Sequence, residues 1–537
     1  MTGLASITRS APDHAVTGLA TRQVRRGALL VVLFAATMPA IVVAGYDSVM
    51  ADPSASASLD ALAGNPAIRT LFGDPIALDE AGGFTVWRVG TFVAVVLAVW
   101  SILSTTRITR GEEDAGRWDV LLAGRATLRG VVVRHVAVVA FVPVLAGLAV
   151  TAVLSNAGPD RTGAVVHGVG LSVLGLFAVA VAALTAQIFP ARAVATGVAI
   201  AVLGVGLLAR MVGDGLSALA WLRWLSPFGL LELSAPYGPN RPLPLMILLV
   251  MAALVSGAAL AAAARRDVGG GLVAPATGRP PRLRTLSTVE AFAVRRVLIP
   301  LIAWSTGVIA YFLLIGLTTT SVTDFLADNA AIVDAAAQAG FTGLDTVAGL
   351  TATIFALLAL PVGAFTAVRM GAFVAAESDR RLTLLAAQPL SRLRLLSAEL
   401  VTTIGGALVL VSLAAIATWV GVVAVGGDFA ITAALQGTWN TLPIVLLSAG
   451  AAVLATGMTP SAVTAVGCLP ATGGFLLQVT ADSVGAPAWV ASLSPFAHLA
   501  PVPLVSVDWP GAFVMTGLAG ALMAAGAVAY RRRDLRG

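Results

Sequence analysis

Two charged segments carry the residue types and spacings in this chain that could do chemistry. Both interrupt otherwise apolar sequence: RGEEDAGRWDVLLAGRATLRG at 110–130 and AAESDRRLTLLAAQPLSRLRLL at 375–396. Glu113 and Arg117 of the first segment align with Glu377 and Arg381 of the second, 264 residues further on. A glutamate and an arginine four residues apart form an ion pair on one face of a helix. The spacing therefore predicts two salt-bridged surface helices.

Each of these segments also has an apolar face. In the first, Trp118, Leu121 and Leu122 recur at helical spacing, and in the second Leu382 and Leu385 do so. We predict amphipathic helices at 112–128 and 377–392 that lie on the membrane surface or dock into a soluble partner. A passive helix that links two apolar segments is the alternative, which the recurrence of the pattern disfavours.

Several other kinds of chemistry have no residues to support them. The sequence contains no lysine, and a Walker A loop needs a lysine to reach the nucleotide phosphates. The single cysteine, Cys468, cannot form an internal disulfide or a multi-cysteine metal site. The apolar segments carry no dense acid and histidine array for a proton relay. We therefore expect no catalytic residue, no metal and no cofactor in this chain.

Composition places the chain in the membrane. Of 537 residues, 58% are hydrophobic and 11% are charged, and the mean hydropathy is +0.93. Soluble domains carry about 25% charged residues. Segments of about 20 apolar residues can cross a bilayer as helices, and twelve are predicted at 27–46, 85–105, 131–155, 164–188, 194–210, 243–264, 297–318, 346–368, 396–424, 434–456, 463–480 and 510–530.

The charges between the spans predict the orientation. Arginines cluster in short loops on one side, as at 107–129, 265–284 and 531–533, whereas acids dominate alternate loops, as at 47–80 and 324–345. Positive residues favour the cytoplasmic side of a membrane, so both termini are predicted to be cytoplasmic. The scattered arginines also argue against a nucleic-acid partner, since they form no continuous basic face.

An internal repeat extends over the whole chain. WLRWLSPFG at 221–229 matches WVASLSPFA at 489–497, and the VRR before the first span matches the VRR before the seventh. We predict two parallel six-span halves, 1–268 and 269–537, with a cytoplasmic linker at 269–285. The fold class is an all-α polytopic membrane protein with twelve transmembrane helices.

The loop between the second and third spans of each half resembles the coupling region of ABC-2-type permeases, also called type V exporters. ESDRRLTLLAAQPLSR at 377–392 is similar to the family pattern, and the LSPF before each last span fits as well. The first copy departs from the pattern at Arg125, where the family has proline. The loop at 64–88 resembles the first outer loop of double-length permeases for polyketide antibiotics and multiple drugs.

The resemblance implies a permease subunit that exports a hydrophobic or amphipathic compound from the bacterial plasma membrane. A separate ATPase subunit, two copies per chain, would hold ATP and Mg. The resemblance implies that the ATPase docks at Glu113, Arg117, Trp118, Leu121, Leu122, Glu377, Arg381, Leu382, Leu385 and Arg392. It places the path between the second and fifth spans of each half, for which the candidates are Phe92, Val96, Leu203, Phe355, Leu358 and Phe475. It assigns an outer gate to Pro227, Phe228, Pro495 and Phe496.

Two other classes remain as alternatives. Major-facilitator secondary transporters also have two parallel six-span halves, and GEEDAGR is similar to their short loop after the second span. That loop is too long here, and the outer Trp/Pro segments have no place in that fold. A membrane-embedded enzyme would need an acidic or histidine constellation beside a span, and the outer acids lack such spacing.

Overall fold

The structure is a computed structural model. It describes residues 12–50, 69–70, 72–124, 126–273, 287–328, 330, 333, 343–378, 382, 389–483 and 487–533. Among these residues the regular secondary structure is helical, and no β-strand is present.

Within these described ranges, twelve helical segments are long and apolar enough to cross a membrane. In the first half they are α1 (Pro12–Met50), α2 (Ala81–Asp114), α3 (Leu128–Leu154), α4 (Arg161–Ile188), α5 (Arg192–Gly215) and α6 (Leu243–Ala263). In the second half they are α7 (Val289–Ala327), α8 (Val347–Ser378), α9 (Arg392–Ala424), α10 (Ile431–Met458), α11 (Pro460–Gln478) and α12 (Trp509–Arg532). Each of the twelve overlaps one predicted span, although α1 begins 15 residues before its predicted start and α7 extends beyond both predicted ends, so the all-α polytopic fold class is confirmed.

Some of these segments are not continuous α-helices. α2 contains a π-helical turn at Val86–Gly90, and α11 contains one at Leu469–Gly473. Pro470 lies in the second π turn, and proline cannot donate the backbone hydrogen bond that a regular turn needs. α8 is interrupted at Leu358, and α10 is interrupted at residues 440–441.

Shorter helices lie between the spans: Arg117–Leu122 and Pro227–Leu233 are α-helical, Ser217–Leu225 is a 3-10 helix, Ala488–Ala491 is α-helical and Pro495–His498 is a 3-10 helix. Polar side chains begin several helices. The Asp160 carboxylate accepts from the backbone N–H groups of Thr162 and Gly163 at the start of α4. The Ser391 hydroxyl accepts from the N–H of Arg394 at the start of α9. These caps satisfy donors that the first turn of a helix leaves free.

The fourth span of each half is its most buried helix. α4 packs against α2, α3 and α6, and α10 packs against α8 and α12. The core of the first half is built from small and branched apolar residues such as Leu97, Ala146 and Leu174, each fully buried. In the second half the corresponding role falls to residues such as Phe365 and Leu410.

Contacts divide the chain into two compact units, Met1–Arg279 and Pro280–Gly537. The predicted boundary at 268/269 and the internal repeat remain predictions. In each half we call the end where the first span begins the basic end, because it also holds the arginines at 107–117, 265–266, 392–394 and 531–533. The other end is called the opposite end.

Candidate functional site

The first coupling segment, at the basic end between α2 and α3, is not the single helix predicted at 112–128. α2 continues to Asp114, the backbone turns at Ala115 and Gly116, and a separate short helix runs from Arg117 to Leu122. Gly116 has φ of 70°, which an L side chain adopts only with strain. The glycine therefore ends the first helix and redirects the second.

The apolar face of this segment packs inside its own half. Trp118 is 1% exposed and lies in a cluster with Val16 of α1, Val132 of α3 and Ala263 of α6. Its ring is 5.4 Å from the ring of His135. Leu121 and Leu122 are half-buried against the same cluster. The prediction that this apolar face meets the membrane surface or a soluble partner is therefore not met at Trp118. The turn at Gly116 folds its side chain back onto the spans.

Arg117 pairs with Glu112 and not with Glu113, as the spacing had predicted it would. Arg117 donates from Nε and Nη2 to the two carboxylate oxygens of Glu112, at 2.6 and 2.7 Å. The prediction assumed an unbroken helix, and the turn at Gly116 changes the face on which Arg117 lies.

Glu113 points into the half, where it binds Arg266 just after α6. Arg266 donates from Nη1 to Oε1 at 2.5 Å and from Nη2 to Oε2 at 2.6 Å, and the two side chains are 2% and 1% exposed. Glu113 also accepts from Arg110 Nη1 at 3.2 Å and from the N–H of Gly269 at 2.8 Å. Arg266 Nε donates to Gln187 Oε1 at 2.8 Å. One guanidinium therefore joins the basic ends of α2, α4 and α6.

Arg110 extends this network to the turn before α5. It is 1% exposed, donates from Nε to the carbonyl of Pro190 at 2.8 Å and lies 3.0 Å from Asp114 Oδ1. Asp114 Oδ2 accepts from the backbone N–H of Arg192 at 2.9 Å. Two arginines thus face two carboxylates at this end, which is the balance that buried charges require.

The second half contains a matching pair. Arg533, just after α12, donates from Nη2 to Glu377 Oε1, and the Tyr530 hydroxyl lies 3.4 Å from Oε2. Arg392 Nη1 donates to the carbonyl of Arg533 at 2.5 Å. Leu382 is 7% exposed and packs in the apolar core of this half. Arg381 and Leu385 lie outside the described residues.

An exposed face remains on the first coupling segment. The Arg117 side chain is 60% exposed, Val120 is 79% exposed, and Asp119 is also exposed. The sequence reasoning missed Asp119 and Val120. In the sequence Val120 stands between Asp119 and Leu121, and only the turn at Gly116 shows that its side chain lies on the free face.

At the opposite end, the same serine contact occurs in both halves. The Ser226 hydroxyl donates to the carbonyl of Gly206 on α5 at 2.6 Å, and the Ser494 hydroxyl donates to that of Gly474 on α11 at 2.9 Å. Both serines are fully buried and precede the predicted gate prolines. The LSPF motif by itself gives no sign of this contact, because the glycine that accepts from the serine lies 20 residues earlier in the sequence.

The gate residues themselves differ between the halves. Pro227 and Phe228 are buried, whereas Pro495 and Phe496 are half-buried. The Phe496 ring packs edge-on against Phe475, with centroids 5.6 Å apart. The assignment of these four residues to a gate remains a prediction.

The opposite end of the first half also contains a buried charged cluster. Arg210 Nε lies 2.7 Å from Glu232 Oε2 and 2.7 Å from Asp214 Oδ2, and Nη1 donates to the Thr91 hydroxyl at 3.2 Å. The backbone N–H of Asp74 donates to Glu232 Oε1 at 2.7 Å. The cluster borders a cavity of about 50 Å³, room for a few water molecules.

The predicted path residues fall into two environments. Phe92 is 50% exposed and Val96 and Phe475 are half-buried, so their side chains have free surface. Leu203, Phe355 and Leu358 are 6%, 1% and 0% exposed. Phe355 packs 6.3 Å from Phe312 of α7. The second group contributes to the cores of the two halves, and the role of all six in transport remains a prediction.

Together, the twelve apolar helices found in the described part of the chain and the buried ion pairs at their ends define a polytopic α-helical membrane protein. The family model described as "Multidrug efflux system permease Rv1217c, C-terminal domain" matches it at residues 14–263 and again at 286–531. The chain belongs to this family of multidrug efflux permeases. The multidrug efflux system permease protein Rv1217c of Mycobacterium tuberculosis is 30% identical over 525 residues, which cover 95% of this chain and 92% of that protein.

Proposed function

We propose that the chain is the membrane-spanning subunit of an ATP-driven exporter of the ABC-2 type. Its cargo is a hydrophobic or amphipathic compound, as the name of its multidrug efflux relative suggests. The observation that carries the ATP-driven part is the first coupling segment. Buried ion pairs anchor it on one side, and Arg117, Asp119 and Val120 are exposed on the other. A short, anchored helix beyond the ends of the spans is suited to receive a soluble subunit.

The composition supports an ATP site on another subunit. With no lysine, this chain cannot build a standard Walker A loop. We propose that ATP and Mg bind a separate ATPase subunit. We propose two copies of it, one at each coupling segment, since both segments have a glutamate held by the arginine that follows the last span.

The chain is proposed to lie in the bacterial plasma membrane with both termini in the cytoplasm. The basic ends of the two halves carry the arginine clusters, and positive residues favour the cytoplasmic side. The ATPase would then meet the basic ends, and the Ser-Pro-Phe segments would face the outside.

Export by reconstituted vesicles tests the energy source. The chain and a candidate ATPase are placed in vesicles, and ATP should drive movement of a fluorescent drug in the presence of a proton ionophore. Transport driven by a proton gradient alone, with no association between the two proteins, would contradict the proposal. The secondary-transporter alternative would then account for the data.

A variant of Val120 tests the docking surface. Val120→Glu should weaken co-purification with the ATPase, because a charge replaces an apolar contact at the centre of the exposed face. Val120→Ala, which keeps that face uncharged, is the matched control. Equal co-purification of both variants would remove this surface from the proposed interface.

A further inference from the structure

In each half, an arginine just after the last span binds the glutamate of the coupling segment. Arg266 binds Glu113, and Arg533 binds Glu377, from 153 and 156 residues away in the sequence. We call these the first and second span-end pairs. The two glutamates are 264 positions apart and the two arginines are 267 positions apart, so the pairs occupy the same place in the two halves.

Each of these arginines also holds the basic end of the fourth span. Arg266 Nε donates to the side chain of Gln187 at 2.8 Å, and Arg533 Nη1 donates to the carbonyl of Thr456 at 2.7 Å. A single guanidinium thus fixes three elements relative to one another: the coupling segment, the most buried span and the end of the last span. The planar fork of arginine holds several donors in a fixed geometry, which the compact ammonium group of a lysine does not.

The two span-end pairs differ in burial and support. The side chains of the first pair are 2% and 1% exposed, and those of the second are 17% and 14% exposed. Among the described residues, Glu113 also accepts from Arg110 at 3.2 Å and from the N–H of Gly269 at 2.8 Å, whereas Glu377 has the Tyr530 hydroxyl at the longer distance of 3.4 Å. The residue of the second half that aligns with Arg110 is Val374, whose side chain cannot donate a hydrogen bond.

This difference in burial changes the energetics of opening. Breaking a buried pair leaves an uncompensated charge away from water, which is strongly unfavourable. Water can reach part of a pair that is less buried, so the separated charges of such a pair are partly solvated and opening it costs less. Opening the second span-end pair therefore costs less than opening the first.

We propose that Arg266 and Arg533 are positioning residues for the coupling segments, and that only the second span-end pair opens during the transport cycle. The proposal rests on the proposed function, because the coupling segments are where the ATPase would dock. A displacement of the coupling segment would be transmitted through the arginine to the fourth and last spans. In the first half the ion pair between Arg266 and Glu113 stays intact through the cycle. In the second half the ion pair between Arg533 and Glu377 forms and breaks.

Amide hydrogen exchange of the chain alone tests the positioning role. Arg266→Gln should raise exchange at residues 110–114, and Arg533→Gln should raise it at residues 374–378, each by about tenfold or more because a charged hydrogen bond is lost. Arg265→Gln and Arg532→Gln are the matched controls, since both arginines are exposed neighbours on the same turns. In the unaltered chain, residues 374–378 should exchange faster than residues 110–114.

Coupled ATP hydrolysis tests the functional role. With the ATPase bound, Arg533→Gln should lower the ratio of drug-stimulated to basal ATPase activity about fivefold or more while basal activity persists. Exchanging the charges, Glu377→Arg with Arg533→Glu, should restore at least part of that ratio. If Arg266→Gln does not accumulate, Arg266→Lys keeps the charge without the fork and serves in both measurements.

The outcomes separate the two proposals. If the unaltered chain does not associate with an ATPase, the proposed function fails, and the exchange measurement still decides the positioning role. If exchange at 374–378 is the same in Arg533→Gln and Arg532→Gln, the positioning role is overturned. Equal exchange of the two segments in the unaltered chain, or equal ATPase ratios in Arg533→Gln and Arg532→Gln, would overturn the asymmetry.

Discussion

At the scale of single residues, the buried charged side chains named above lie in ion pairs, and exposed ion pairs contribute little to the stability of the fold. Glu399 of α9 is 3% exposed and lies 2.5 Å from Arg296 and 3.0 Å from Arg369. The aligned position in the first half is His135, which is fully buried and bonds locally from Nδ1 to the Val131 carbonyl oxygen at 2.8 Å. At this aligned position the second half buries a carboxylate paired with two arginines, and the first half buries an imidazole that bonds to its own helix.

Removing the charge of Glu399 should destabilise the second half. Glu399→Gln leaves the buried Arg369 without a counter-ion, and breaking a buried pair costs about 3–5 kcal/mol. The melting temperature of the purified protein in detergent should fall. Glu290→Gln is the control, since Glu290 and Arg394 form an exposed pair with side chains 50% and 53% exposed. Equal melting temperatures of the two variants would show that the Glu399 cluster does not stabilise the fold.

Replacement of Phe92 should change what the permease transports. Its side chain is 50% exposed on α2, where it contacts Phe34 edge-on at 5.7 Å. Phe92→Ala removes dispersion contacts that a passing hydrophobic molecule would make, so drug resistance profiles of cells should shift while ATPase association is retained. Phe141→Ala, at an exposed phenylalanine of α3, is the comparison. Identical profiles for the two variants would place the path away from α2.

At the scale of elements, close approach of helices sets the packing. α7 and α9 cross where Gly316 faces Gly421, and a Cβ on Gly421 would lie 2.6 Å from the Leu313 carbonyl oxygen and 2.7 Å from the Leu317 nitrogen. Because the neighbouring atoms belong to backbone, they cannot move aside without separating the helices. Small residues allow this kind of approach in membrane proteins.

A larger residue at this crossing should disrupt the second half. Gly421→Val should lower the yield of monodisperse protein and its melting temperature, since the side chain overlaps α7. Gly405→Val, sixteen residues earlier on the same helix, has no atom within 4 Å of the added Cβ and should be tolerated. Comparable yields of the two variants would mean that the crossing adjusts.

The elements also show what sequence could and could not predict. All twelve spans were predictable, because the length and apolar content of a spanning helix are fixed by the bilayer. The partner of Glu113 was not, because Arg266 is 153 residues away and local spacing pointed to Arg117. The turn at Gly116 is the reason that Arg117 pairs with Glu112 and Glu113 is left to bind Arg266. A pattern of charges does not show that Gly116 adopts a left-handed backbone conformation.

At the scale of the whole molecule, each half contains its own apolar clusters and its own span-end pair. We therefore expect residues 1–279 and 280–537, expressed as two chains in one cell, to restore drug resistance together. Either chain alone should insert into the membrane without conferring resistance, since the proposed function needs two coupling segments. Resistance from one half alone, or none from the two together, would contradict this expectation.

The π turns of α2 and α11 have a mechanical consequence. A π turn holds one residue more than the α-helical turn it replaces. If that extra residue moved along the helix, every position it passed would rotate by about 100° and advance by about 1.5 Å, with the flanking turns intact. The extra residue in Val86–Gly90 or Leu469–Gly473 would then allow the side chain of Phe92 or Phe475 to change direction without unfolding a span. Spin labels placed on either side of one π turn would report such a rotation as a change in relative accessibility, and a fixed pattern through the transport cycle would exclude it.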